Sequence, residues 1–254
     1  LYTFVKDVRY RPYIPGSSIK GALRTAICYN LFNNPRNREW LTKQIYRRLA
    51  RRGAEKAVQD FVESIFGSEK GRHSPHYDVM KFLRISDSES VSSINLEIPE
   101  VSVIETSSPT TYRKAEHRMY AEVMKQGLTV SGRATIDKTL SQEAYLKYTD
   151  DFPGFNVPTN LDIIKSYANR FATDLVDQEI KFATSYGIDP LNQFYISLKE
   201  NILQKLDEKQ FFLKVGWGSG YLATTIGMLL REEKRLFRDI RERFKLGNPR
   251  IPIF

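Results

Sequence analysis

The chain has 254 residues, 41% of them apolar and 12% aromatic, which is enough to build a buried core and excludes an intrinsically disordered protein. Thirty-nine Lys and Arg against 30 Asp and Glu leave a net charge of +9; this favours a polyanionic partner, although ribosome-associated and membrane-surface proteins share the sign. The single cysteine, Cys28, excludes an intrachain disulfide or a thiolate zinc cage and reads as a small core residue in a reducing, cytoplasmic setting. No apolar run reaches the ~18–20 residues of a bilayer span, no signal-peptide pattern is read, and no membrane partner is expected.

Residues 2–14 read as a short strand pair turning around Arg9 to Pro12. Tyr13-Ile14-Pro15-Gly16-Ser17-Ser18 then runs from an extended end through a turn to a helix N-cap at Ser17 or Ser18. Ile19, Ala22, Leu23, Ala26 and Ile27 recur at helical spacing, so a helix is predicted to Phe32, ended by Asn33-Asn34-Pro35. A strand–Gly/Ser–helix junction aims backbone N–H groups and the positive end of a helix dipole at one point, which suits a phosphate. Lys20 and Arg24, four residues apart, add two cations on one helical face. The same residues also describe an ordinary strand-to-helix turn with solvated cations, and there is no Walker-type Gly-x-x-x-x-Gly-Lys-Ser/Thr.

A second helix is predicted over 39–66, with Leu41, Ile45 and Leu49 on one stripe, Val58, Phe61, Val62, Ile65 and Phe66 on a later one, and Gly53 as a break. Lys43, Arg47 and Arg51, reinforced by Arg48 and Arg52, form a basic ridge opposite the apolar stripe, which suits RNA, an acidic neighbour or solvent alone. Residues 67–78 read as a polar loop, 79–86, 94–104 and 128–136 as strands, and 87–93 as a turn. The polar stretch 105–126, with Pro109 at its tip, is expected to order only with a partner.

Residues 150–158 read as an interdomain turn. The spacing of Ile164, Tyr167, Ala168, Phe171, Leu175, Phe182 and Ala183 predicts a helix over 161–186, and Asp189-Pro190 opens another that reaches Leu206. Residues 211–215 form an apolar run of strand length. Gly216-Trp217-Gly218-Ser219-Gly220 follows, and a helix is predicted from Tyr221 to Leu230, repeating the design of the first junction. A basic helix then runs to Lys245, closed by Gly247-Asn248-Pro249.

The string Ile14-Pro15-Gly16-Ser17-Ser18-Ile19-Lys20-Gly21-Ala22-Leu23-Arg24-Thr25-Ala26 resembles the signature segment of the RAMP proteins, the RNA-binding subunits of CRISPR effector complexes. The late Gly-Trp-Gly-Ser-Gly-Tyr loop is similar to the glycine-rich loop with which RAMP proteins touch the RNA backbone. With Arg84-Ile85-Ser86-Asp87-Ser88 between them, the order resembles the RAMP subunit that caps type III-A (Csm) complexes at the 3′ end of the CRISPR RNA. The type III-B paralogue is a near neighbour. The resemblance implies an α+β fold of two ferredoxin-like (RRM-like) units with additional helices and glycine-rich loops. An N-terminal unit over 1–150 would carry the basic helix and a thumb-like excursion at 105–126; a C-terminal unit over 151–254 would carry the glycine-rich loop. It also implies an N-terminal strand of the Leu-x-Pro-x-His-x-Gly kind ahead of Leu1.

On this resemblance the expected function is that of a non-catalytic subunit that caps the backbone and assists RNA maturation. Its partners would be the CRISPR RNA, a neighbouring RAMP backbone subunit, the small helical subunit and a recruited host nuclease. The RNA-binding set is Gly16, Ser17, Ser18, Lys20, Arg24, Gly216, Trp217, Gly218, Ser219, Gly220 and Tyr221, with base stacking or loop packing as the two roles open to Trp217 and Tyr221. The alternative is a metal-independent endoribonuclease of the same fold, for which His117, flanked by Arg113, Lys114 and Arg118, is the acid–base candidate beside Tyr112. His73 and His76 with Asp78 have partial metal-site spacing but no further ligand, and Asp150-Asp151 is a carboxylate pair in sequence only, so no metal is expected. Gly216 to Gly220 does not fit Gly-x-Gly-x-x-Gly, and no cofactor is expected.

Overall fold

The computed structural model describes residues 1–50, 66, 78–108, 111–142 and 157–245. The first helix, α1 (Gly16–Phe32), forms where the spacing predicts it, but its N-cap is Pro15 and not a serine. Helix α2 (Pro35–Leu49) follows after a two-residue break and buries Leu41 and Ile45. The continuation of that predicted helix, with Gly53, Arg51 and Arg52, lies outside the described residues apart from Phe66, which is buried.

Eight short strands follow: β1 (Leu83–Ile85), β2 (Leu96–Glu97), β3 (Glu100–Val101), β4 (Ile104–Ser108), β5 (Thr111–Lys114), β6 (Met119–Tyr120), β7 (Val123–Met124) and β8 (Ala134–Ile136). They pair antiparallel as β1–β8, β2–β7, β3–β6 and β4–β5, so Leu83 faces Ile136, Leu96 faces Met124, Glu100 faces Tyr120 and Ile104 faces Lys114. Backbone hydrogen bonds bridge the gaps: Ser86 to Arg133 at 2.9 Å, Lys125 to Asn95 at 2.9 Å and Ala115 to Val103 at 2.9 Å. Residues 83–108 and 111–136 are therefore the two sides of one long two-stranded ribbon. The described residues of the expected excursion at 105–126 belong to the outer part of that ribbon, not to a polar insertion between two separate strands.

The ladder is cut where the chemistry of the chain forbids it. Ser92 caps a 3-10 turn at Ser93–Asn95, and Pro99 has no N–H to donate. The strand expected over 79–86 begins instead as a 3-10 turn, Val79–Phe82, because the Asp78 carboxylate accepts the Met80 N–H at 2.8 Å. Only Leu83 to Ile85 pair with β8, and the strand expected over 128–136 shortens to Ala134–Ile136.

The remainder is helical: α3 (Leu161–Ser185), α4 (Asp189–Asn201), α5 (Tyr221–Thr224), α6 (Gly227–Glu232) and α7 (Lys234–Arg243). Asn160 caps α3 through the Asp162 N–H at 2.7 Å, and Pro190 opens α4 at a position where its missing N–H costs nothing. Residues 211–215 form no strand. They lie along α3, where the Asn169 side chain accepts the Phe212 N–H at 2.9 Å and donates to the Gln210 carbonyl at 3.1 Å.

The helix expected from Tyr221 is broken into three. Thr225 donates its hydroxyl back to the Tyr221 carbonyl at 2.7 Å and accepts the Gly227 N–H at 3.0 Å, which competes with helix continuation. Gly227 lies beneath the Tyr221 ring, where any Cβ would sit 2.3 Å from a ring carbon.

One core joins the two halves of the chain. Leu23, Ala26, Ile27 and Phe32 of α1 pack with Ile164, Ala168, Phe171 and Leu175 of α3, with Leu222 and Leu229, and with Phe82 and Leu83 beside the ribbon. Tyr29 donates to Asp174 at 2.8 Å and Asn30 donates to the Tyr167 carbonyl at 2.9 Å, fixing the crossing of α1 on α3. Cys28 is buried in that core, and burial pushes its thiol up to about 12. The fold is thus mixed helix and strand. Every strand named above belongs to the ribbon, and among the described residues 157–245 are helices and connections; the border expected at 150/151 lies outside the described residues.

Candidate nucleic-acid interface

The three motif segments meet. The Ser88 hydroxyl accepts the Ile14 N–H at 2.8 Å, the Ser88 N–H returns to the Ile14 carbonyl at 3.0 Å, and Val91 donates to Pro12 at 2.9 Å. Asp87 accepts the Gly16 N–H at 2.8 Å, so the anion at the start of α1 is a carboxylate of the chain itself. The Gly16 amide, expected to stand open to a phosphate, is therefore taken within the chain. Gly16 is required by contact: a Cβ would lie 2.3 Å from the Ile85 carbonyl oxygen.

The second junction has a different origin. Gly216, Gly218 and Gly220 have φ of 98°, 80° and 82°, the left-handed region that side chains rarely enter, and each has open space around it. Their alternation coils the loop so that Ser219 turns inward, donating its hydroxyl to the Gly216 carbonyl at 2.6 Å. Trp217 turns outward, 56% exposed.

Both junctions line one open groove of about 790 Å³. Ser18, Gly21, Ala22 and Thr25 form one wall, because i, i+3, i+4 and i+7 share a helical face. Gly216, Trp217 and Ser219 line it as well, and residues 121–124 of the ribbon and 2–5 of the N-terminal segment complete the groove. The N-terminal segment joins the ribbon as a parallel addition, with Tyr2 donating to Tyr120 at 2.9 Å and accepting from Glu122 at 2.8 Å. Beyond it, the turn expected around Arg9 to Pro12 forms, with Lys6 bridged to Pro12.

Several expected contacts fall elsewhere. Lys20 and Arg24 sit on the other side of α1 from the groove wall. Arg24 pairs with Asp78 and lies 4.6 Å over the Phe66 ring, which commits its guanidinium within the chain. Burial lowers the pKa of Lys20 and Arg24 lowers it further, while Asp78 opposes both. Ser17 is exposed next to the groove face, whereas Gly218, Gly220 and Tyr221 do not line the groove. Tyr221 packs its ring on Gly227 instead, and burial raises its hydroxyl pKa.

His117 is exposed in the bend between β5 and β6, away from the groove lining, and Tyr112 is exposed on β5. His73, His76 and Asp150-Asp151 lie outside the described residues, and among the described residues no group of three or more His, Cys, Asp or Glu is placed to hold a metal ion. Among the same residues no helix is long and apolar enough to cross a membrane.

Two contributors escape a sequence reading. Tyr2 stacks on Trp217 with ring centroids 4.1 Å apart, linking the N-terminal segment to the glycine loop. Lys214, two residues before Gly216 of that loop, lines the groove and pairs with Glu179 at 3.0 Å and Tyr195 at 3.4 Å. Burial pulls its pKa down, but Glu179 and Tyr195 more than offset this, and the net shift is upward. Behind it, burial lowers the pKa of Arg231, whose Nε and one Nη have no hydrogen-bond partner among the described residues. Nothing in the local sequence joins α3, α4 and α6 to this cluster; only the adjacency of Lys214 to the loop hints at its part.

The sequence matches the family described as the RAMP superfamily over residues 2–223. It is 28% identical over 241 residues to the CRISPR system Cms protein Csm5 of Methanocaldococcus jannaschii, a match that covers 91% of this chain and 51% of that protein. The chain thus spans about half the length of that curated relative. It shares its fold with a chain of the cryo-EM Csm-crRNA-target RNA ternary complex of a type III-A CRISPR-Cas system, at TM-score 0.67, 24% identity, and coverage of 96% of this chain and 68% of that one. The crystal structure of T. onnurineus Csm5 is also similar, at TM-score 0.59 and 23% identity, covering 91% and 67% of the two chains.

Proposed function

The chain belongs to the RAMP superfamily, and from that premise we propose that it is a non-catalytic RNA-binding subunit of a type III-A CRISPR ribonucleoprotein, capping its backbone at the 3′ end of the CRISPR RNA. The observation that carries the reading is the convergence of the Gly16–Thr25 helix start and the Gly216–Ser219 loop on one groove. Such a groove suits a single strand held by its backbone and by stacking, with Ser18, Thr25 and Lys214 facing the phosphates and Trp217 offering an aromatic face. The similarity to Csm5 and to a chain of a Csm-crRNA-target RNA complex supports CRISPR RNA and other Csm subunits as partners. The proposal adds a neighbouring RAMP backbone subunit, the small helical subunit, and a host nuclease that trims the RNA in the cytoplasm. In this reading β1, β8 and α1 belong to a ferredoxin-like unit, and the ribbon is its thumb. The division into units at 150/151 is part of the same proposal.

The test is RNA binding by the purified chain. Lys214→Glu with Ser18→Glu places two negative charges in the groove and is expected to weaken single-stranded RNA binding at least tenfold. The slope of affinity against salt should flatten by about 0.7 for each phosphate that the groove no longer neutralises. A folded double variant with unchanged affinity and slope would overturn the groove reading. Cleavage of repeat RNA in EDTA by the unaltered chain would overturn the non-catalytic one.

A further inference from the structure

A second feature lies at the far end of α1 from the groove. The N-terminal turns of α1 line the groove, and its last residue, Phe32, stacks on Trp40 of α2. Seventeen residues at 1.5 Å each separate the two ends by about 25 Å. There α2 packs against α7.

These two helices hold most of the chain's excess charge. Helix α2 carries five cations and one carboxylate, and α7 carries five cations and two carboxylates, so 15 and 10 residues account for seven of the nine net charges. On α2, Arg36, Lys43 and Arg47 recur at i, i+7 and i+11 and are exposed, opposite the buried Leu41 and Ile45. On α7, Arg235 and Arg238 are exposed opposite the buried Leu236. Two of the three carboxylates are engaged at home: Glu39 pairs with Lys43 at 2.6 Å and Asp239 faces the Tyr46 hydroxyl, while Glu242 stays exposed; Glu232 at the end of α6 pairs with Arg38.

From this clustering of Arg36, Lys43, Arg47, Arg235 and Arg238 on two packed helices, we infer a second RNA-binding surface that takes the sugar-phosphate backbone of a single strand beyond the groove. The inference rests on the RNA-binding reading above and extends it. The chemistry of the patch favours RNA over an acidic protein. A protein interface centres on buried apolar anchors, and among the exposed large apolar side chains of the described residues the patch holds only Tyr46. One aromatic ring among guanidinium groups fits a strand that stacks a base while its phosphates are paired. The exposed Glu39–Lys43 pair holds Lys43 only weakly, so a phosphate can displace it.

The experiment compares two oligouridylates, of about 8 and about 30 nucleotides, chosen to bracket the ~4–16 nucleotides of a single site. The variant is Lys43→Gln, Arg47→Gln, Arg235→Gln and Arg238→Gln together, all at exposed positions. The short RNA should bind variant and parent alike, which also verifies that the variant is folded. The long RNA should bind the variant at least tenfold more weakly, with a salt slope reduced by about 3, or about 0.7 for each phosphate left without its cation. Equal affinity and slope for the long RNA would overturn the second surface while leaving the groove intact. Loss of poly-glutamate binding with no change in long-RNA binding would likewise overturn it, in favour of an acidic protein. Failure of the parent chain to bind either RNA would overturn the groove reading itself and this inference with it.

Discussion

Trp217 lies face to face with Tyr2, ring centroids 4.1 Å apart and planes inclined by 25°, across residues more than two hundred positions apart in sequence. One face of the indole thus closes the loop onto the N-terminal segment while the rest stays 56% exposed at the groove. The two roles open to this residue, packing and base stacking, are compatible because a ring has two faces.

Trp217→Ala is therefore expected to weaken single-stranded RNA binding by about 1–3 kcal/mol, the usual value of one base–aromatic stack. Trp217→Phe should retain most of the affinity. Fluorescence anisotropy with a labelled oligonucleotide measures both. If the alanine variant binds like the parent, Trp217 serves packing alone.

Two glycines of α1 should respond in opposite directions. At Gly16 a methyl group would meet backbone carbonyl oxygens of Ile85 and Ser86 at 2.3 and 2.6 Å, neither of which can rotate away. Gly16→Ala is expected to cost about 1–3 kcal/mol in urea denaturation. Gly21 is exposed in the helix interior with nothing within 4 Å, so Gly21→Ala should stabilise the fold by about 0.5–1 kcal/mol. Because Gly21 also lines the groove, the same change should weaken RNA binding. A stabilised Gly21→Ala variant with full RNA affinity would count against that wall of the groove.

The N-terminal segment should detach in acid. Glu122 accepts from Lys6 Nζ at 2.7 Å and from the Phe4 N–H at 2.8 Å, and these bonds hold its carboxyl below the usual 4.5. A depressed carboxyl stabilises the folded arrangement above the ordinary value and loses that effect as pH falls through the lowered one. The clamp is accordingly complete above pH 4.5 and opens below it, taking Tyr2 from Trp217. Trp217 fluorescence, recorded in a Trp40→Phe background, should shift in that window, and Glu122→Gln should abolish the transition. A transition that survives Glu122→Gln belongs to another group.

The sequence by itself determined the local structure wherever one local signal dominated: α1 and α3 follow their apolar spacing, α4 opens at Asp189-Pro190 although it ends at Asn201 short of Leu206, and the glycine loop follows from alternating positions that only glycine occupies easily. It also carried the family, because the motif residues are the ones that make the tight contacts of Gly16 with Ile85 and Asp87. What it could not carry was which groups find each other. Arg24 sits in a phosphate-like setting by spacing, yet Asp78, 54 residues away, claims its guanidinium. Residues 211–215 have the composition of a strand, yet the Asn169 side chain takes the Phe212 N–H and the neighbouring Gln210 carbonyl, and no ladder forms. Three predicted strands and a polar excursion are one ribbon because pairing is decided by partners up to 53 residues apart, and local propensity does not encode partners. The groove has the same origin. Its walls come from α1, the ribbon, the N-terminal segment and the glycine loop, and only tertiary packing brings these four together.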